Sequence, residues 1–438
     1  MRDRFRRTAR FWAHALRFIL LIWKVDMYLY QSRLKDQIIH SVKDVHVHAE
    51  QGVYADAISG MFNVPFGYSC DAIKQRISQT LNDLPFHPKD HFYSQEWFEA
   101  SAMLLGRAKM DDGALLYVNS GSEAIESSIA MALEYHQRKG NPGKRKVICR
   151  KHSYHGATLG AHSITGRNDF QELRNSGYDT IRIHPPFAVT HQGKPLEPHS
   201  ASDVENIILQ SGPEQIACII FEPVNHLKGM RQSGGEYLAG IRELCDRYDI
   251  VMITDEIVTG ASRTGDFLNT HRFGVTPDIV ALGKGISGGY YPASAMATSA
   301  KIASVFEKRG PWIPYSYSHT YASNPVSIAS IHASLQVLEQ VESSGQLSRL
   351  IGKAAGLTRE LASNERIARI EASGLLIGLT LDERLGAAAG KKLEQLCFER
   401  KLIIRGEENW ACLAPAYVMS EDTLTEAFEV LNESIDHL

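Results

Sequence analysis

Residues 250–299 read IVMITDEIVTGASRTGDFLNTHRFGVTPDIVALGKGISGGYYPASAMATS, and three runs within this stretch decide the fold. IVMITDE (250–256), DIVALGK (278–284) and ASAMATS (293–299) are short, apolar in their interiors and separated by turn residues. Runs of that kind read as strands buried on both faces. Working outward, LLYVN (115–119), KVICR (146–150) and ACIIFEPV (217–224) repeat the pattern. A helix is expected from Ser122 to Tyr135, and YLAGIRELCDRYD (237–249) is amphipathic at helical spacing. Buried strands alternating with helices imply an α/β fold whose mostly parallel central sheet is covered by helices. Ligands of such sheets sit at the carboxyl ends of the strands.

After Asn324-Pro325 the chain turns helical (VSIASIHASLQVLEQVES). GLLIGLTLD (374–382), a helix near 389–400, and LIIR followed by ACLAP then suggest a smaller α+β unit. The mixed segment Tyr54–Phe86 is expected to join it. A length of 438 residues also favours one large domain plus a smaller one.

Apolar residues make up 44% and charged residues 22%, an ordinary globular balance. A net charge of −3 gives no pull toward nucleic acid. Six cysteines without a CxxC pair argue for reduced thiols in a cytoplasmic protein and against a zinc site. The N-terminus is basic and apolar, but its uncharged run Phe18–Trp23 is far short of the ~20 residues that span a bilayer. Three readings stay open for it: a helix docked on protein, a peripheral helix on an anionic membrane, or a targeting segment.

Three features carry chemistry. Asn119-Ser120-Gly121-Ser122-Glu123-Ala124 lies between a strand and a helix, where small residues let backbone N–H groups approach an anion. A plain N-cap is the alternative. Asp255 and Glu256 end a buried strand; an acid there can pair with a protonated ring nitrogen, or can cap the next element. Lys284, flanked by Gly283 and Gly285, ends another strand with room for a planar group beside it. Desolvation there favours the neutral amine.

With NSGSEAIESSIAMA, YHGATLGA, FEPV, DEIVTGASRTGDF, PDIVALGKGISGGYYPASA and SHTYASNPVSIASIHASLQVLE in this order, the chain resembles the class III aminotransferases of the fold-type I pyridoxal-phosphate (PLP) enzymes. The resemblance implies Lys284 as the Schiff-base lysine and Asp255 as partner of the pyridinium nitrogen. It implies Gly121 and Ser122 at the phosphate, Tyr154 against the cofactor ring, and Glu222 as a cleft-wall acid. Val258 falls beside the cofactor hydroxyl. Thr320 would reach the phosphate of a neighbouring subunit, making a homodimer with shared sites. Arg263 is expected to be structural. Residues 1–35 would be an extension, 36–95 and 326–438 the small domain, and 96–325 the PLP-binding domain. The implied reaction moves an amino group between an amine donor and a carbonyl acceptor in biosynthesis, through the freed lysine as base. An aminomutase, decarboxylase or racemase of the same fold would share Lys284. A non-catalytic scaffold using residues 1–30 at a membrane or carrier protein would not need lysine, acid and phosphate loop together.

The chain departs from the family pattern in places. Where the family often reads Glu-Pro-x-Gln-Gly-Glu-x-Gly, this chain has Glu222-Pro223-Val224-Asn225-His226-Leu227-Lys228-Gly229. Leu227 thus replaces an acid able to cover an active-site arginine. Ala157 stands where ornithine- and γ-aminobutyrate-handling members often carry an arginine, and Gly260-Ala261-Ser262-Arg263 lacks an aromatic. Arg405 is left as a candidate anchor for a substrate carboxylate, with a surface arginine as the alternative. The implied substrate is an ω-type amine or aldehyde in a relatively apolar pocket, with a lipophilic or carrier-tethered molecule as an extension of that reading.

Overall fold

The computed structural model describes residues 38–166, 177–191, 194–306 and 317–438. The N-terminal extension, with its three readings, lies outside the described residues. Seven strands form the central sheet: β1 (Ala114–Val118), β2 (Lys146–Arg150), β3 (Thr180–Ile183), β4 (Ile216–Phe221), β5 (Val251–Asp255), β6 (Ile279–Leu282) and β7 (Ser294–Thr298). Their order is β1-β7-β6-β5-β4-β2-β3. All neighbours pair in parallel except β7, which runs antiparallel to both β6 and β1.

Both faces are covered, which is why the strands are apolar without alternation. Val251 and Ile253 of β5 pack with Ala124 and Ile125 of helix α1 (Gly121–Arg138). Ile250 and Met252 pack on the other side with Leu238 and Ile241 of helix α2 (Gly235–Arg247). Parallel register aligns Thr254 with Phe221 and Asp255 with Ala281, so the carboxyl ends of β4, β5 and β6 lie side by side. Glu222, Asp255 and Lys284 follow those ends.

Two four-stranded sheets accompany this core. One joins Ile39–Lys43, His46–Ala49 and Gly52–Asp56 to Leu402–Ile403, the last pair in parallel. The other orders Ile367–Ser373, Leu376–Leu381, Trp410–Leu413 and Arg405–Glu407. Helix α3 (Pro325–Ser343) is held at its start by Asn324, whose side chain accepts from the N–H groups of Val326 and Ser327. Its first eleven residues, Pro325–Leu335, are all buried, while the rest of it is partly exposed. Among the described residues no helix is long and apolar enough to cross a membrane. All six cysteines are free.

Ile253 has no exposed surface and sits at the centre of the sheet. Ile253→Ala should cost about 2–5 kcal/mol, read as a lower midpoint in urea unfolding with an unchanged slope.

Candidate active site

Four strand ends and one helix start meet at a cavity of about 160 Å³. On that measure a single water needs ~10–15 Å³, so the space suits a small organic molecule. Gly121, Ser122, Tyr154, Glu222, Asp255, Val258 and Lys284, all expected at the site, line it together with His155, Gly156, Val224, His226 and Ile257.

The helix start is built by a capping box. Ser120 Oγ accepts from Glu123 N–H at 3.2 Å, while the Glu123 carboxylate accepts from Ser120 N–H at 3.0 Å and Asn119 N–H at 2.7 Å. The N-cap reading of this segment therefore describes Ser120. Such a box engages the third helical N–H and leaves those of Gly121 and Ser122, the first two, facing outward at the positive end of α1. A Cβ at Gly121 would come within 2.8 Å of Ile257 Cδ1. Ser122 Oγ accepts from Ala157 N–H at 3.0 Å, tying the helix start to the Tyr154–Ala157 loop. There Gly156 has φ +139°, and a Cβ on it would lie 2.4 Å from Ser122 Oγ.

The two acids at the end of β5 divide the two expected roles. Glu256 is fully buried and caps the segment Asn269–Phe273, accepting from Asn269 N–H (2.9 Å), Thr270 N–H (3.0 Å), Thr270 Oγ1 (3.2 Å) and Thr259 Oγ1. Burial pushes its pKa up against those hydrogen bonds. Asp255 instead faces the cavity. Its Oδ1 accepts from Ile257 N–H at 3.1 Å, and Oδ2 lies 2.8 Å from His155 Nδ1. A carboxylate accepts only, so His155 carries its proton on Nδ1. His155 Nε2 is buried with no hydrogen-bond partner among the described residues.

Lys284 has φ +46°, a left-handed backbone that is strained for a side chain with Cβ. Burial lowers the pKa of its amine, Asp255 and Glu222 oppose this, and Arg405 adds to it. The balance favours a neutral amine more than free lysine does.

Glu222 is bound on both oxygens: Oε1 accepts Tyr154 N–H at 2.9 Å, and Oε2 lies 2.6 Å from His226 Nδ1. Burial raises its pKa, but the charge and hydrogen bond of His226, with His155 and the Tyr154 N–H, outweigh it and hold the carboxyl below its ordinary range. Arg150, buried between the rings of Phe221 and Tyr237, donates to Glu222 O at 3.0 Å and fixes the backbone there.

Two expected residues are not at this cavity. Thr320 is exposed, in the segment where Lys89 Nζ donates to Ser318 Oγ. Arg405 is half-buried, its Nη2 2.7 Å from Glu407 Oε1 and its Nε without a partner among the described residues. With Leu227 buried in the core, the acid covering Arg405 is Glu407, two residues along the same strand and hence on the same face. Arg263 is buried, donating to Ala414 O and Pro415 O with its guanidinium 4.7 Å from the Tyr417 ring. Sequence reading missed His155, His226 and Glu407. His155 stood inside the quoted Tyr-His-Gly motif, and the two-residue spacing on a strand could have exposed Glu407.

The family model described as aminotransferase class-III matches residues 32–435. An uncharacterized aminotransferase of Bacillus subtilis, YhxA, is 30% identical over 402 residues, 87% of each chain. An omega-aminotransferase of Caulobacter vibrioides is 28% identical over 385 residues, 86% of this chain and 88% of that one. Among solved structures, a thermostable omega transaminase mutant from Pseudomonas jessenii superposes with a TM-score of 0.83 at 23% identity, covering 94% of this chain and 97% of that one. A transaminase obtained by ancestral reconstruction gives 0.86 at 23% identity, covering 96% and 98%. At that identity the likeness concerns the fold.

The donor set fits PLP: free helix-start N–H groups for a phosphate, a buried acid for a ring nitrogen, and an amine with lowered pKa for an aldehyde. Gly156→Ala should therefore strain the backbone by about 1–3 kcal/mol and push Ser122 Oγ aside. We expect a lower melting temperature and weaker PLP binding in a fluorescence titration. Unchanged affinity would detach this loop from the cofactor.

Proposed function

The chain belongs to the class-III aminotransferases, and from that premise we propose that Lys284 carries its transamination, between a small amine or amino-acid donor and an aldehyde or keto acceptor, within a biosynthetic route. The observation that supports this assignment is a buried amine of lowered pKa facing two carboxylates, each already held by its own histidine. PLP, when bound, supplies an aldehyde for amine exchange and a ring that takes up the electrons of the deprotonated carbon. Lys284 Nζ, freed when the donor amine takes its place, would be the base that moves a proton from the donor carbon to the cofactor carbon. Asp255, fixed by His155 and Ile257 N–H, keeps a ring nitrogen protonated beside it. Gly121 and Ser122 N–H bind the phosphate, Tyr154 covers the ring, and Glu222 and Val258 wall the cleft.

We take 36–95 with 326–438 as one small domain beside 96–325, supported by the pairing of Ala55–Asp56 with Leu402–Ile403. A homodimer fits the surface. Phe92, Tyr93, Phe98 and Tyr321 are each more than half exposed, an unusual concentration of aromatic surface, and Thr320 adjoins it for reaching the second copy's phosphate.

Lys284→Ala should abolish the borohydride-reducible PLP adduct and lower transamination at least about a hundredfold, with the fold intact by circular dichroism. In the wild-type apoprotein the neutral fraction of Lys284 grows as pH rises through its lowered pKa. PLP capture should thus rise with pH to a midpoint below the ~10.4 of free lysine. A midpoint at or above that value counts against Lys284.

Arg405 is assigned to the carboxylate of the amino-acid partner, for which it must exchange Glu407. Arg405→Ala should raise KM for amino-acid partners about tenfold or more while leaving simple amines nearly unchanged. Steady-state kinetics with both substrate types checks this.

A further inference from the structure

We propose that His226 is a specificity-determining residue of the cleft, and that it selects substrates whose non-reacting end carries a hydroxyl or a second amine. The inference rests on the transamination reading above and concerns which molecules enter.

His226 is nearly buried and is fixed on three sides. Its Nδ1 lies 2.6 Å from Glu222 Oε2, its ring meets Tyr154 edge-on at 5.7 Å, and Phe62 packs at 6.2 Å. It lines the same cavity as Lys284 and Tyr154. The carboxylate holds the Nδ1 proton, which leaves Nε2 as the remaining polar atom of the ring. No hydrogen bond from a described residue reaches it. In the run compared with the family pattern above, this histidine stands where the pattern has glycine. Where the pattern has no side chain, this cavity is lined by a hydrogen-bonding ring.

The charge of the pair decides what that atom recognises. Glu222 is held ionised by its partners, so the pair carries −1 with a neutral ring and 0 with a protonated one. It is never positive and cannot neutralise a buried anion. A hydroxyl suits either state, giving a hydrogen bond to the lone pair or accepting one from N–H. An ammonium suits the negative state. A carboxylate suits only the protonated state, and there the pair gives it a hydrogen bond without a net countercharge.

The test uses donors of matched size: aminobutanol and putrescine against pentylamine, with γ-aminobutyrate as the anionic probe, all with the PLP-loaded full chain. We expect kcat/KM for aminobutanol and putrescine to exceed that for pentylamine about tenfold, the worth of one well-placed hydrogen bond. His226→Asn keeps a donor for Glu222 but has nothing at Nε2. It should erase the preference, read within the variant as equal kcat/KM for the polar donors and pentylamine, whatever its basal rate. His226→Gln, which reaches the Nε2 position, should restore part of it. If the Asn variant does not fold, the wild-type comparison of aminobutanol and putrescine with pentylamine still decides, since its failure overturns the proposal. The proposal is overturned by a wild type without the preference, by a preference that survives in His226→Asn, or by a kcat/KM for γ-aminobutyrate that falls in His226→Asn as far as those of the two polar donors. A wild type whose bound PLP spectrum answers to no donor would overturn transamination itself, a different result from a flat donor profile.

Discussion

For the role proposed here, Lys284 must lose its proton beside two carboxylates, and the groups around it are arranged to meet that constraint. Burial alone would favour the neutral amine, but Asp255 and Glu222 pull the other way. Left unpaired, two buried acids would each seek a proton or a cation, and Lys284 lines the same cavity. Each acid has its own histidine instead, at 2.8 Å and 2.6 Å, and each also accepts a backbone N–H. The lysine is thereby left to its chemistry. The strained backbone at Lys284 belongs to the same arrangement, because it starts a tight turn straight from the end of β6. Holding such a residue requires neighbours that over-determine it. The flanking buried strands provide them.

The central sheet was legible because burial on both faces writes itself as uninterrupted apolar runs. The runs around 217–224, 250–256 and 278–284 match observed strands to within a few residues. The site residues that lie at the ends of those runs were legible for the same reason. The two histidines were not, since their roles depend on acids 100 residues and four residues away whose orientation only the fold supplies. The sheet formed by residues 39–56 gave no strong signal either. Its first strand is exposed along its whole length, so nothing forces an apolar alternation there. Its partner Leu402–Ile403 comes from the other end of the chain, and two-residue strands carry no period to read.

Substrate choice is where this chain stands apart from the pattern it otherwise follows. The acid expected opposite the arginine is gone at Leu227, yet Arg405 still has a carboxylate beside it, from its own strand. The backbone between Glu222 and Gly229 keeps its turn, with Gly229 in the left-handed region, while its side chains have changed character. The chemistry rests on groups fixed by the sheet, and the selectivity rests on the loops beyond it. That division lets one be rewritten without disturbing the other.

The pairing of Ala55 and Asp56 with Leu402 and Ile403 joins segments far apart in sequence, and Lys401 bonds Gln51 across 350 residues. On the ribosome, the early strand must wait while about that length of chain is made before its partner emerges. Contacts so distant in sequence are slow to form and expose unsatisfied strand edges meanwhile. The large sheet, whose last strand ends at Thr298, can assemble before that and offer a surface on which the late segment closes. The cleft would then be finished only when the segment carrying Leu402, Ile403 and Arg405 docks, and until that moment a finished sheet would stand beside an unfinished cleft.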